Sequence, residues 1–234
     1  MKIGILCAVD RELEPFLAHI QNGKTSEKAM LTFYEGQIYD MDVVAVRFGV
    51  CKTNAAIAAQ IAIDTYGADL IINAGTAGGM DETVELLETV IGTEIAHHDV
   101  HEQILTGHHP WMPSAYFKPD EALLALSQKA ATQLDPSHKL RYGRMVTGES
   151  FIDEAGRAEI NAQFAPLTVD METAGAAQVC YVNEIPFIAI RTVTDTAKHS
   201  GQDNFEKNCA VAAALSKDMT LALLKEIKRE GMYK

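Results

Sequence analysis

Several familiar signatures are missing from this 234-residue chain. Its four cysteines, Cys7, Cys51, Cys180 and Cys209, lie far apart and form no CxxC pair, and their apolar or small-residue contexts suit buried free thiols in a reducing compartment. No apolar run reaches the length of a membrane span. The longest low-charge stretch, 53–63, is alanine-rich and too short, and the apolar run that follows Met1-Lys2 is too short for a secretory signal. Cations are scarce: 20 Lys and Arg stand against 32 Asp and Glu, a formal charge of −12. Such a surface repels phosphate backbones, so nucleic acid is a poor partner, whereas a small uncharged nucleoside is not excluded. The expectation is a soluble, cytoplasmic protein with neither nucleic acid nor membrane as partner.

Glycine fingerprints are missing too. Gly75-Thr76-Ala77-Gly78-Gly79 lacks the Gly-Lys-Ser/Thr ending of a P-loop and the Rossmann spacing, and Gly148-Glu149-Ser150 is not a nucleophile elbow. What is present is an ordinary globular composition, 47% hydrophobic and 22% charged. Apolar runs of strand length occur at 2–8, 31–38, 42–48, 70–74, 89–96, 140–146, 167–170 and 186–193. Helical patterns occupy 52 to about 66, 120–134 (with Asp120 as N-cap), 153–162, 172–183 and 204–229, and 97–119 reads as an irregular, His-rich stretch. This alternation predicts an α/β three-layer sandwich, a mixed and mostly parallel central sheet flanked by helices. No linker or repeat divides it, so 1–234 reads as one domain.

Ligands of such folds sit beyond the carboxyl ends of strands. There the candidates are carboxylates. Glu12, just after the first strand, reads on its own as an ordinary first-turn helix acid. Glu172 ends Val169-Asp170-Met171-Glu172, ahead of a helix of small residues, and reads equally as a site acid or a first-turn acid. Asp195 ends the strand that contains Arg191, too far from the next helix to cap it simply, and this favours a functional role. Arg191, late in an apolar strand, needs a carboxylate or carbonyl partner. The 75–79 segment reads equally as a plain turn or as a loop turning backbone N–H groups to a ligand. On an extended chain His97, Asp99 and His101 would share one face, but with no second ligand cluster the segment reads as a polar or interface loop, and no metal is expected.

Taken in order, these segments resemble the 5′-methylthioadenosine/S-adenosylhomocysteine nucleosidases of the purine nucleoside phosphorylase fold family. The resemblance runs nearly end to end. Met1-Lys2-Ile3-Gly4-Ile5 with Glu12 looks like the family's opening, and Gly49 with Lys52 like the start of its first long helix. Asn73 to Gly79 is similar to its Gly-Ser-Ala-Gly-Gly loop, and Thr147 to Ile152 to its Ser-Gly-Asp-x-Phe-Ile segment. Val169 to Ala174 matches Val-Glu-Met-Glu-x-x, and Arg191 to Ala197 matches Arg-x-Ile-Ser-Asp-x-Ala.

The resemblance implies a nucleoside hydrolase that needs no cofactor. Asp195 would protonate adenine N7, Glu12 would activate water, and Glu172 would hold the ribose hydroxyls above Met171. Phe151 and Ile152 would position the base, and Arg191 would support Glu172 or Glu12. Val9, Val50, Met171 and Phe205 would surround the 5′ group, with Leu105 and Pro113 as candidates from a partner chain. Thr76 and Thr194 stand where serine is usual, Glu149 replaces Asp, and Val9 replaces a methionine. Residues 101–113 carry Ile104, Leu105, Trp111 and Met112 without a pattern that buries them internally, which predicts a homodimer interface there. Asn73, where hexameric phosphorylases place an arginine, favours water over phosphate. The rivals are a phosphorylase of this fold, a hydrolase of futalosine-type nucleosides, and a non-catalytic nucleoside-binding module.

Overall fold

A computed structural model describes residues 1–152 and 154–231. Its strands are β1 (Lys2–Cys7), β2 (Gln21–Lys28), β3 (Leu31–Ile38), β4 (Met41–Arg47), β5 (Leu70–Gly79), β6 (Thr89–His97), β7 (Leu140–Thr147), β8 (Thr168–Asp170) and β9 (Phe187–Asp195). The helices are α1 (Asp10–Leu17), α2 (Lys52–Asp64), α3 (Glu102–Gly107), α4 (Glu121–Ala131), α5 (Glu154–Phe164), α6 (Thr173–Val182) and α7 (Gln202–Glu230).

One nine-stranded mixed sheet runs β2-β3-β4-β1-β5-β8-β7-β6-β9, and β9 pairs again with β5. That last pairing closes β5, β8, β7, β6 and β9 into a ring, while β1 to β4 extend from it as an open sheet. Helices cover both faces, as the alternation predicts. On one face the alanines of α2 at 55, 58, 59 and 62 meet the small residues of α6. The approach is close: a Cβ at Gly175 would lie 2.5 Å from the Lys52 carbonyl oxygen. On the other face α1, α4 and α7 pack with Ile3, Ile5, Ile72 and Ile190. Asp120 caps α4, accepting from the Leu123 N–H at 2.9 Å. Among the described residues no helix is long and apolar enough to cross a membrane.

Four expectations need correction. Residues 75–79 are not a turn or loop: they continue β5, because β9 runs parallel beside them as far as Gly78 opposite Asp195. β2 is missing from the sequence reading because every one of its side chains is exposed, leaving no apolar alternation to detect. The 97–119 stretch contains α3, which buries Leu105 in the chain's own core together with Met112, so neither residue is left over for a partner; Ile104 and Trp111 stay exposed. Cys51 is only half-buried, unlike the other three free cysteines. Asp153, the expected first residue of the 153–162 helix, lies outside the described residues.

Candidate active site

Parallel strands β1, β5 and β9 bring residues 8–12, 75–79 and 194–195 to one edge of the sheet. β8, antiparallel to β5, delivers residues 170–172 there. Together they surround a cavity lined by Val9, Glu12, Val50, Thr76, Phe151, Ile152, Met171, Glu172, Thr194, Asp195 and Phe205. Every site residue expected from the sequence lines it except Arg191, which is wholly buried beneath.

Glu12 sits in the first turn of α1, but it is not a solvated acid: 3% of it is exposed. Its Oε2 accepts from the backbone N–H groups of Ala8 at 2.8 Å and Val9 at 3.3 Å, and its Oε1 from the Thr76 N–H at 2.7 Å and hydroxyl at 2.8 Å. Gly75 makes this possible, because a Cβ there would fall 2.5 Å from Glu12 Oε1 and 2.7 Å from an Arg191 nitrogen. Donors on every side hold the Glu12 side chain in one fixed orientation.

Arg191 carries the floor. Its guanidinium lies 3.3 Å from Asp170, 3.5 Å from Glu172 and 3.9 Å from Glu12, and donates to Asn73 Oδ1 at 2.6 Å, Thr173 Oγ1 at 3.0 Å and the Thr76 carbonyl at 3.2 Å. It therefore braces both acids that the resemblance offered as alternatives, and Asp170 more closely than either. Burial works to lower its pKa, yet Asp170, Glu172 and Glu12 outweigh that and leave it raised. Asn73 is a strut for Arg191, fully buried and absent from the cavity wall, so its side chain does not itself decide between water and phosphate.

Glu172 is the residue before α6, oriented by the Cys51 N–H at 3.2 Å. Asp170 accepts from the Thr147 hydroxyl at 2.7 Å and from the N–H groups of Glu172 and Thr173 at 3.1 and 3.0 Å, so it caps α6 and fixes the turn that carries Met171 and Glu172.

Asp195 is 2% exposed. Its Oδ2 accepts from Arg157 Nη2 of α5 at 3.0 Å, and its Oδ1 lies 3.0 Å from Thr194 Oγ1. The same hydroxyl is 3.3 Å from the Ala77 carbonyl oxygen. One hydroxyl proton serves only one acceptor at a time. Turned to Asp195 it satisfies a carboxylate; turned to Ala77 it leaves Thr194 Oγ1 free to accept from a protonated Asp195. The site accommodates both states without rearrangement.

Burial, modified by charge, sets how tightly Glu172 and Asp195 hold their protons. Among the described residues, Glu12, Asp170, Glu172 and Asp195 are buried together with only Arg157 and Arg191 as buried cations. Burial pushes Glu172 well above the usual carboxylate range, and Asp170 and Glu12 add to this against the opposing Arg191. Burial also raises Asp195, against Thr194 and Arg157. A protonated acid on one side and an oriented carboxylate on the other are what cleavage of an N-glycosidic bond requires.

The family model described as Phosphorylase superfamily matches residues 2–225. The chain is 32% identical to the 5′-methylthioadenosine/S-adenosylhomocysteine nucleosidase of Bacillus subtilis (strain 168), over 97% of this chain and all of that protein. It is 34% identical to the nucleosidase of the same description from Tolumonas auensis, with the same coverage of both chains. The chain belongs to the phosphorylase superfamily, among its methylthioadenosine/S-adenosylhomocysteine nucleosidases. A crystal structure of such a nucleosidase from Colwellia psychrerythraea 34H, in complex with adenine, superposes with a TM-score of 0.89 at 33% identity, covering 97% of this chain and 95% of the other.

Sequence reasoning missed Arg157, Asp170 and the strut Asn73–Thr173, as well as Ser150 and Gln202 on the cavity wall. Asp170 was legible as the second acid of its motif. Arg157 carried no signal, since it reads as one charged residue on a short amphipathic helix. Among the described residues no group of three acids, histidines or cysteines is arranged to hold a metal; His97 instead bonds Gln178 at 3.0 Å, and His101 caps α3.

Proposed function

We propose that this nucleosidase hydrolyses the N-glycosidic bond of 5′-methylthioadenosine and S-adenosylhomocysteine, releasing adenine and the 5-thio-substituted ribose. The observation that carries this reading is the cavity wall. It presents Glu12, Asp170, Glu172 and Asp195, and among the described residues no lysine or arginine lines it. A phosphate dianion there would lose its water to a wall of acids, whereas neutral water meets an oriented carboxylate.

In this mechanism Asp195 gives its proton to adenine N7 while the C1′–N9 bond breaks and its electron pair leaves with the base. The ribosyl cation so formed takes the oxygen of a water whose proton passes to Glu12. Glu172 holds the ribose hydroxyls above Met171. Phe151 and Ile152 position the base, and Thr76 and Thr194 fix the two working acids. Val9, Val50, Met171 and Phe205 supply an apolar site for the 5′-thio group.

The chain works in the cytoplasm, where its free thiols stay reduced, and as a homodimer. The motive for the dimer is the exposed pair Ile104 and Trp111 in residues 101–113, at 52% and 66%. A monomer by sedimentation at micromolar concentration, fully active, contradicts it. The decisive experiment for the reaction is adenine release from methylthioadenosine in phosphate-free buffer. A rate that rises steeply with added phosphate makes the protein a phosphorylase.

A further inference from the structure

The Arg157–Asp195 pair is a poor stability device. Both side chains are nearly fully buried, at 5% and 3% exposure, and a buried pair of this kind returns in attraction about what it costs to desolvate. The Arg157 Nε–H is also buried with no partner among the described residues. Yet the guanidinium is held firmly: one Nη donates to the Gly79 carbonyl and the other to Asp195 Oδ2 at 3.0 Å.

It is also the only charged group in contact with Asp195 among the described residues. Glu12 of α1, Asp170 of β8 and Glu172 line the same cavity. β5 presents the uncharged Ala77 and Gly78, and from α7 Asn208 donates to the Thr194 carbonyl at 2.8 Å. Lys198 and His199 of the turn after β9 are exposed.

We propose that Arg157 is a positioning residue that makes Asp195 a competent proton donor, by holding Oδ2 and stabilising the carboxylate left when the proton departs from Oδ1. The inference rests on Asp195 acting as the acid. With Oδ2 taken by the guanidinium, the transferable proton belongs on Oδ1, where Thr194 accepts it by turning its own hydroxyl to Ala77. When the C1′–N9 bond breaks, that proton moves to the base and Asp195 becomes negative beside a fixed positive charge. Burial alone would make the acid too weak to give up its proton, and Arg157 offsets this. The balance holds the proton more tightly than an ordinary carboxyl would, yet leaves Asp195 willing to donate it.

The test compares wild type with Arg157→Gln and Arg157→Lys, reading the pH profile of kcat/KM for adenine release. A carboxyl 13C titration of Asp195, assigned with Asp195→Asn, is measured alongside. An opposite charge at this distance lowers a carboxyl pKa by roughly 1–3 units. Arg157→Gln should therefore raise the Asp195 midpoint and the basic limb of the profile by about that much, with a turnover loss of about tenfold or more. Arg157→Lys keeps the charge and should leave both midpoints in place, which serves as the readout if the glutamine variant does not fold. An unmoved Asp195 midpoint in Arg157→Gln overturns the proposal, and so does a midpoint raised equally in Arg157→Lys. Wild type that releases no adenine refutes the hydrolase reading instead, and the 13C titration still decides the role of Arg157.

Discussion

Substituting Asp195 with asparagine removes the proton and preserves the shape, and the structure dictates how the amide will sit. Its NH2 cannot face Arg157, whose Nη2 already donates to that position from 3.0 Å, so the amide oxygen takes the Oδ2 place. The NH2 then faces Thr194 Oγ1, which turns its own proton to the Ala77 carbonyl at 3.3 Å. Both contacts of Asp195, to Arg157 and to Thr194, are kept, and the second N–H of the amide faces the cavity that Asp195 lines, so the variant should fold with the cavity in its form. Substrate affinity should stay within about tenfold. What the amide cannot do is transfer a proton to the departing base, and general acid catalysis is worth roughly 10²–10⁴-fold. kcat for adenine release should fall by at least the lower bound of that range. The assay pairs steady-state adenine release with calorimetric binding of a non-hydrolysable methylthioadenosine analogue, so chemistry and binding are read separately. A variant that retains more than a tenth of wild-type kcat removes Asp195 from the role of acid.

Glu12→Gln should lose hydrolysis without gaining phosphate-dependent cleavage. It should also melt lower, because either orientation of the amide sets an NH2 against the N–H of Ala8 or of Thr76. An unmet buried donor costs about 1–3 kcal/mol, and a chain of this size loses about 2–4 °C of Tm per kcal/mol; an unchanged Tm contradicts the Glu12 geometry. Methylthioadenosine should be turned over with a kcat/KM roughly 10–200-fold above adenosine, since the walls at Val9, Val50, Met171 and Phe205 offer nothing to a 5′-hydroxyl; equality of the two substrates abandons the apolar 5′ site. Thermal stability should fall as pH rises from the ordinary carboxylate range to about 8. Glu172 is held protonated up to about that value in the folded state, so the native protein binds more protons than the unfolded chain across this window. Glu172→Gln should flatten the slope, and a slope equal to wild type shows that Glu172 is not the group.

The expectation of a mixed sheet between two helical layers rested on particular runs: Lys2 to Ala8, Leu70 to Ala74 and Pro186 to Val193 have the length and apolar content of strands buried on both faces. The positions of Glu12, Glu172 and Asp195 were legible for a related reason, although Glu12 on its own read as a plain helix acid and only the family resemblance singled it out. Each stands within a few residues of such a strand's end, which is where this architecture opens to ligands. β2 was invisible because an edge strand with both faces in water needs no alternation. The closure of β5 onto β9 was equally hidden, since strand pairing is not written in periodicity.

The chain sequence by itself determined the buried strands, most of the helices, their order and the chemical types gathered at the strand ends, because those depend on neighbours a few residues away. Tertiary structure alone decided that Glu172 and Asp195 hold their protons more tightly than ordinary carboxyls. That depends on charges brought together from distant parts of the chain: Arg191 under Glu12 and Glu172, Asp170 beside them, and Arg157 against Asp195 across 38 residues of sequence. Burial energies and Coulomb interactions act over a few ångströms in space, and spacing along the chain carries no record of them.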